Sequence, residues 1–172
     1  MFTLLKLLQS LVRALHSEGT PQQVAAGIAL GSALGLTPLL SLHNLLIVAA
    51  IFLLRVSVPG AILGWLIALP LGFLLDPLFD TAGSALLIDA GPLQPVWTAI
   101  YNTPVLSLSN VNNTVVLGSV VAWLLLAFPI FLLARAGVRR YRATLGPRIE
   151  RSRAVRAVRA TKLYNLFRLF QP

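Results

Sequence analysis

The feature that most constrains this fold is a set of long runs without a charged side chain. They extend from Gln22 to Leu54, from Val58 to Leu75 and from Val115 to Ala134. A helix that crosses a bilayer needs about 20 predominantly apolar residues. A soluble domain has roughly 25% charged residues, whereas this chain has 11% and cannot cover a water-facing surface with them. The runs therefore predict an all-α integral membrane protein.

The first run does not fit a simple span. It is too long for one straight helix, and two spans would need about 40 residues and a turn. A turn signal, Gly35-Leu36-Thr37-Pro38, lies near its middle. We therefore expect a broken helical hairpin of two short helices, which is either re-entrant or made of two tilted spans.

The predicted organisation is a membrane domain followed by a basic tail. Residues 1–18 alternate between polar and leucine-rich faces at helical spacing, which predicts an amphipathic helix in the membrane interface or packed on the protein itself. The membrane domain covers residues 1–134, and the basic tail, with a predicted C-terminal helix, covers 135–172. Within the membrane domain we expect the interfacial helix at 1–18, the hairpin at 22–54, a span at 58–75, an outer-side segment at 76–114 and a second span at 115–134.

The distribution of charge predicts the topology. Most of the 14 basic residues lie from Arg135 onward, and the others are Lys6, Arg13 and Arg55. Residues 76–114 contain three aspartates and no Lys, Arg or Glu. Cytoplasmic loops carry an excess of Lys and Arg. We expect a multi-pass protein of the bacterial inner membrane with both termini in the cytoplasm, and the N-terminal run lacks the features of a cleaved signal peptide.

The arginines of the tail are candidates for binding anionic headgroups. Arg-rich segments beside a span attract anionic lipid, and nucleic acid would use the same charge. No nucleic-acid motif accompanies them, so we expect membrane lipids as the partner and no nucleic acid. The predicted headgroup-binding residues are Arg139, Arg140, Arg142, Arg148, Arg151, Arg156 and Arg159.

Two rows of small residues predict close helix packing. The first row is Gly27, Gly31 and Gly35, and the second comprises Gly60, Gly64, Ala68 and Gly72. Such rows let helix backbones approach closely in lipid. One row could instead form a homo-oligomer face or a groove for a lipid chain. We expect Gly31→Leu or Gly35→Leu to be more damaging than Gly118→Leu, because Gly118 is expected to face lipid or to repack mildly.

Polar residues within the apolar runs mark the candidate ligand site. A polar side chain in hydrocarbon is costly unless it has a partner, and such residues often belong to functional sites. A buried interhelical hydrogen bond is the alternative for His43 and Asn44. Asp76 and Asp80 could form a proton or cation site, or could simply be solvated. The predicted ligand- or lipid-binding residues are Gly27, Gly31, Gly35, Thr37, Pro38, His43, Asn44 and Asp76.

The sequence offers no catalytic constellation. Cysteine is absent, which excludes thiol redox chemistry and thiolate metal sites, and there are two histidines. We find no Ser-His-Asp set and no phosphate-binding Gly-Lys-Ser/Thr loop. We therefore expect no enzyme activity, no cofactor and no metal.

Several of these motifs together resemble a bacterial membrane family, the domain-of-unknown-function family 2062. The resemblance rests on Gly19-Thr20-Pro21, the run from Ala25 to Gly31, Gly35-Leu36-Thr37-Pro38 and His43-Asn44, and it covers about Gly19 to Leu87. The family's second region carries Asn-Pro after an apolar helix, where this chain has Asp76-Pro77. The resemblance implies an inner-membrane location and, for small members of the family, a large envelope lipid-transport protein as a partner.

These observations give three functional hypotheses. The first is a lipid-handling protein that helps phospholipid or a lipid carrier to enter or cross the inner membrane. The second is a small-solute or ion transporter that uses His43, Asp76 and Asp80. The third is a membrane anchor that recruits a partner protein and transports nothing.

Overall fold

The computed structural model describes residues 19–38 and 41–144, and every regular element within them is helical. The predicted N-terminal amphipathic helix and the predicted helix of the distal tail lie outside the described residues. The α-helices are α1 (Pro21–Leu36), α2 (Leu42–Leu53), α3 (Val58–Ser84), α4 (Gln94–Tyr101) and α5 (Thr114–Thr144), with a π-helical turn at Ala85–Asp89 and 3₁₀ turns at Gly91–Leu93 and Leu106–Ser109.

Helix α1 begins with a complete capping box. The side chain of Thr20 accepts a hydrogen bond from the amide of Gln23, whose side chain accepts one from the amide of Thr20, and Pro21 occupies the first turn. These bonds satisfy amides that have no partner within the helix. The side-chain amide of Gln23 also donates to the carbonyl of Arg55, and its backbone carbonyl accepts from the amide of Ser57 at 3.1 Å. The start of α1 is therefore tied to the turn between α2 and α3.

Helices α1 and α3 run parallel and their backbones touch. A Cβ atom built on Gly31 would lie 1.9 Å from the carbonyl oxygen of Ala61, and one built on Gly64 would lie 2.1 Å from that of Ile28. The same reciprocal relation, at the same sequence separation, links Gly27 with Ser57 and Gly60 with Val24. The two glycine rows thus form one internal seam with approximate twofold symmetry.

Helix α2 returns the chain between these two parallel helices. It has 12 residues, or about 18 Å at 1.5 Å per residue. Asn44 and Ile51 are its buried residues, and most of its other side chains are exposed. The first run therefore forms two short helices, with Thr37, Pro38 and Ser41 as the described residues between them.

Helix α3 continues past the end that the sequence predicts for it. Asp76-Pro77 is expected to close a span at Leu75, but the helix includes Pro70 and Pro77 and extends to Ser84. Its last turns pack on α5, where a Cβ on Gly83 would lie within 2 Å of the carbonyl oxygen of Thr114. This packing sustains the helix although proline removes a ladder hydrogen bond.

Helix α5 completes the bundle. It packs antiparallel to α3 and also contacts α1, where the indole nitrogen of Trp123 donates to the carbonyl oxygen of Ala29 at 2.9 Å. The helix does not stop at the predicted boundary with the tail, since it extends through the first arginines to Thr144. With the π-helical turn included, α3 and α5 are two helices long and apolar enough to cross a membrane.

The bundle has small residues inside and large apolar residues outside. Glycine, alanine and serine dominate the buried positions of α1 and α3. By contrast, Phe73, Leu125 and Leu133 are each about three-quarters exposed, at 74%, 74% and 75%. Small residues at helix contacts are typical of packing in lipid, and an exposed apolar surface of this kind would be unfavourable in water.

Candidate functional site: the polar turn between α1 and α2

The candidate site is the turn where α1 ends and α2 begins. Thr37 follows the last residue of α1, and its amide donates to the carbonyl of Ala33 at 3.0 Å. The hydroxyl of Thr37 lies 2.8 Å from both the carbonyl oxygen of Ala33 and Oδ1 of Asn44. Nδ2 of Asn44 donates to the carbonyl oxygen of Pro38 at 2.7 Å. The polar turn is defined as Thr37, Pro38, His43 and Asn44, and the bonds of Asn44 to Thr37 and Pro38 close it on itself.

These hydrogen bonds contribute to stability because the side chains of Thr37 and Asn44 are buried. Thr37 is 5% exposed and Asn44 is 4% exposed, whereas the residues that follow Asn44 on α2 are exposed and apolar. A buried donor or acceptor without a partner costs about 1–3 kcal/mol. For Asn44, the structure therefore contains the buried hydrogen bond that is predicted as the alternative to a ligand site.

His43 differs from its neighbour Asn44. Both ring nitrogens are buried, and neither has a hydrogen-bond partner among the described residues. The ring lies near the backbone of Ser109, in the 3₁₀ turn that contacts α2. Ser41, which precedes α2, does not cap it with its side chain, because its hydroxyl donates to the carbonyl of Pro38 instead. Among the described residues, the polar turn thus contains unused hydrogen-bonding capacity beside the segment 76–114.

The glycines predicted as ligand-binding residues lie in the seam. A Cβ atom added to Gly27, Gly31 or Gly35 would lie less than 3 Å from atoms of α3 or of Ser57, which precedes it. These contacts fill the space on the side of α1 that faces α3, so the glycines would act on a site through the distance between the two helices. Their predicted role in ligand binding stays a prediction.

The expectation that Gly118 faces lipid is wrong. Gly118 is buried in α5, and a Cβ there would lie 1.9 Å from the carbonyl oxygen of Phe79. The contact with Phe79 and Gly83 makes this a second close crossing, between α3 and α5. No pattern in the sequence marks this crossing, because Gly118 and Gly83 are isolated glycines and do not form a row.

The two aspartates near the polar turn have different surroundings. Asp76 lies one helical turn beyond Gly72, which contacts the carbonyl of Gly35 at the end of α1, and it is partly buried. Asp80 accepts a short hydrogen bond from the hydroxyl of Thr114. The structure therefore places both carboxylates at the end of the bundle where α1 ends. Among the described residues there is no group of three or more potential metal-ligating His, Cys, Asp or Glu side chains.

The described cations lie at the opposite end. Arg142 donates from Nη1 to the carbonyl of Gly19 at 2.9 Å, and the carbonyl of Arg55 is bonded to Gln23 nearby. Arg139 and Arg140 are exposed on the same turns of α5 as Arg142. The remaining predicted headgroup residues, which are Arg148, Arg151, Arg156 and Arg159, lie outside the described residues. Thr114 and Arg135 are separated along α5 by roughly 32 Å at 1.5 Å per residue.

The segment 76–114 has a feature that is not among those predicted from the sequence. A shallow cleft of about 250 Å³ is lined by Trp97, Tyr101 and Asn112, among others. The indole nitrogen of Trp97 donates to the carbonyl of Leu86 at 3.0 Å, which ties α4 to the π-helical turn. The spacing of Trp97 and Tyr101, which places both side chains on one face of a helix, is the sequence feature from which this cleft could be predicted.

These features define a compact helical bundle with two candidate spanning helices and a buried polar turn. The chain belongs to the family of uncharacterised proteins conserved in bacteria known as DUF2062, whose model matches residues 6–144. This confirms the resemblance and extends it beyond Leu87. The chain is also 36% identical over 150 residues to an uncharacterised protein of Treponema pallidum (strain Nichols), a match that covers 85% of this chain and 90% of the relative. No solved structure matches the chain.

Proposed function

We propose that this protein is a multi-pass protein of the bacterial inner membrane that handles lipid, with the polar turn as the place where a lipid headgroup is received. The observation that carries the proposal is the buried Thr37–Asn44 pair beside the ring of His43, which lies against the backbone of Ser109 and whose nitrogens meet no hydrogen-bond criterion among the described residues, on a bundle whose outer surface is apolar. Polar groups held at a helix break within membrane proteins commonly serve ligands. A phospholipid is the ligand that reaches such a turn laterally.

The charge distribution supports the proposed orientation. The described arginines cluster at the end where α1 begins, and Asp76 and Asp80 lie where it ends. Their separation is close to the roughly 30 Å thickness of a hydrocarbon core. By the positive-inside rule, the arginine end and both termini face the cytoplasm. The polar turn then lies towards the outer surface, and α1, at roughly 24 Å, is short for a full span, which favours a re-entrant or thinned arrangement.

The proposed topology is open to a direct test. Single cysteines at Arg55 and Asn102, introduced separately because the chain has no cysteine of its own, should react with a membrane-impermeant thiol reagent on opposite sides. In intact spheroplasts we expect labelling at position 102 and none at position 55 until the membrane is opened. Labelling of position 55 in intact spheroplasts contradicts the orientation.

The function of the polar turn is tested by complementation. In a strain that lacks this protein, Asn44→Leu should fail to restore growth under envelope stress, because Pro38 and Thr37 lose a partner and the turn opens. Ser41→Ala is the matched control, since Ser41 makes one longer bond of 3.2 Å in the same turn. Both variants are compared at equal amounts in the membrane. Full complementation by Asn44→Leu at normal level would rule out the polar turn as the site.

The alternative functions predict different effects of substitution. For a small-solute or ion transporter, Asp76→Asn and His43→Gln should abolish function, whereas lipid handling tolerates both charge-neutral exchanges, because a headgroup contact at these positions needs a polar side chain and not a titratable one. For a membrane anchor, Asn44→Leu should retain function as long as the partner is still bound. A large envelope lipid-transport protein is the candidate partner, and co-purification with each variant separates recruitment from lipid handling. Absence of enzyme activity and of a cofactor stays a prediction.

A further inference from the structure

A second feature of the bundle lies far from the polar turn, near its arginine end. A groove of about 370 Å³ opens sideways between α1, α3 and α5. Its walls are almost wholly apolar and include Ile28 of α1, Ile67 of α3, and Ile130, Gly137 and Tyr141 of α5. A Cβ built on Gly137 meets no atom within 4 Å, so the groove is open at that point. This volume lies in the range of ligand pockets, roughly 300–1,000 Å³.

The length of the groove indicates what kind of apolar group fits it. On α5 it extends from Ile130 to Tyr141, which is about 16 Å at 1.5 Å per residue. This length is close to half of a hydrocarbon core roughly 30 Å thick. The groove therefore matches an acyl chain from one leaflet, namely the leaflet at the arginine end.

The charges along the same stretch of α5 indicate the headgroup. Arg140 and Arg142 are the sequence neighbours of the lining residue Tyr141, whereas Arg139 lies on the opposite face of the helix. Arg135 lies between the lining residues Ala134 and Gly137, and its Nε is buried without a hydrogen-bond partner among the described residues. An acyl chain that lies along Ile130–Gly137 would bring its headgroup to the level of these guanidinium groups. A phosphate bearing a net negative charge is the headgroup that they would favour.

We infer that this groove is a binding site for one acyl chain of an anionic phospholipid of the cytoplasmic leaflet, whose phosphate contacts the arginines of α5. The inference rests on the proposed membrane location, but it does not depend on the polar turn. It assigns a lipid class and a leaflet to the α1–α3–α5 groove.

The test uses the full chain in nanodiscs of phosphatidylcholine that contain a small fraction of a photoreactive lipid. The lipid carries a diazirine on its acyl chain and has either a phosphatidylglycerol or a phosphatidylcholine headgroup. After illumination, cross-linked peptides are mapped by mass spectrometry. We expect phosphatidylglycerol to label residues 130–141 more strongly than phosphatidylcholine, and Arg135→Gln to reduce this preference by about fivefold.

Two tryptophan variants test occupancy of the groove. Gly137→Trp fills the open space and should remove most of the labelling at residues 130–141. Leu132→Trp is the matched control, because it lies on the opposite face of α5 at a similar depth and is 44% exposed. It should leave the labelling unchanged. If Gly137→Trp alters the fold, the selectivity of the Arg135→Gln variant still decides the question.

Two results would overturn the inference. One is equal labelling by the two headgroups in the unaltered protein. The other is capture of residues 1–18 by a photoreactive amino acid at position 137, which would assign the groove to the chain's own N-terminal segment. Neither result affects complementation by polar-turn variants, so failure here remains distinguishable from failure of the proposed function.

Discussion

Helix α1 contacts α3 along a continuous seam of backbone atoms, whereas α2 is attached to the same two helices mainly at its ends. In the seam, Gly31 and Gly64 bring carbonyl groups of the neighbouring helix into direct contact. At one end of α2, Asn44 is bonded to the turn from α1, and at the other end the amide of Ser57 is bonded to Gln23. Between these ends, α2 exposes leucines such as Leu45, at 65%.

The difference shows two ways of holding a helix in the membrane that we propose for this protein, where water supplies no driving force. Between apolar helices in lipid, association depends on close packing and on hydrogen bonds, because lipid tails are as apolar as leucine. The seam between α1 and α3 relies on close packing and tolerates no added atom. The attachment of α2 relies on hydrogen bonds at its ends and leaves the rest of the helix free to face other molecules.

The largest effect is expected in the seam. Gly31→Leu places side-chain atoms where the carbonyl of Ala61 lies, and the two helices must separate to accept it. We expect a loss of more than about 3 kcal/mol in the free energy of unfolding, at the upper end for overpacking. Unfolding in detergent micelles, followed by the fluorescence of the native tryptophans, measures it.

Gly137→Leu is the matched control for this change, because a Cβ at Gly137 meets open space. Gly118→Leu should behave like Gly31→Leu and not like the control, since the carbonyl of Phe79 lies against it. Equal stability of Gly31→Leu and Gly137→Leu would show that the seam is not the principal contact of the bundle.

An intermediate effect is expected at the polar turn. Asn44→Ala leaves the carbonyl of Pro38 without its 2.7 Å bond and removes one acceptor from the hydroxyl of Thr37. Pro38 and Thr37 keep their bonds to Ser41 and Ala33, so the cost is that of two lost hydrogen bonds at about 0.5–1.5 kcal/mol each, or about 1–3 kcal/mol together. Local opening should appear as faster proteolysis between α1 and α2. Asn102→Ala, at an exposed helix end, is the control and should be neutral; an equal loss in both variants would contradict the special status of the turn.

The smallest effect is expected for the bond between α5 and α1. Trp123→Phe removes the indole donor to the carbonyl of Ala29 and should cost about 0.5–1.5 kcal/mol. Trp65→Phe is a close control, because the indole nitrogen of Trp65 is buried without a partner among the described residues. The unfolding midpoints of the two variants in the same detergent give the difference. A larger loss for Trp65→Phe would show that volume, and not the hydrogen bond, governs both positions.

The helices can be predicted from the sequence because charge-free runs and helix caps are local signals. Thr20-Pro21 marks the start of α1, and Thr37-Pro38 marks the turn that follows it. The end of α3 cannot be predicted in this way, since Asp76-Pro77 is a strong local stop signal. The helix continues there because Phe79 and Gly83 pack on α5, a contact between residues distant in sequence.

The candidate site is predictable in its polar members and not in its geometry. Asn44 and Thr37 stand out as polar residues within apolar runs, and the structure brings them together. Gly118 is different, because the importance of a lone glycine depends on which backbone lies opposite. The groove near Gly137 has no sequence signal either, because most of its lining residues are aliphatic side chains that look like those on the outer surface of the bundle.

The twofold relation between α1 and α3 has a consequence for how the protein assembles. Two parallel helices with matching small-residue faces are the arrangement of a membrane homodimer, here joined within one chain by α2 as a connector. Because α2 joins the two helices in one chain, their association is intramolecular and does not depend on a concentration-dependent encounter. Short connectors give an effective concentration in the millimolar range. The pairing of α1 with α3 therefore does not depend on protein concentration, and the small-residue faces of these two helices are not available to a second copy.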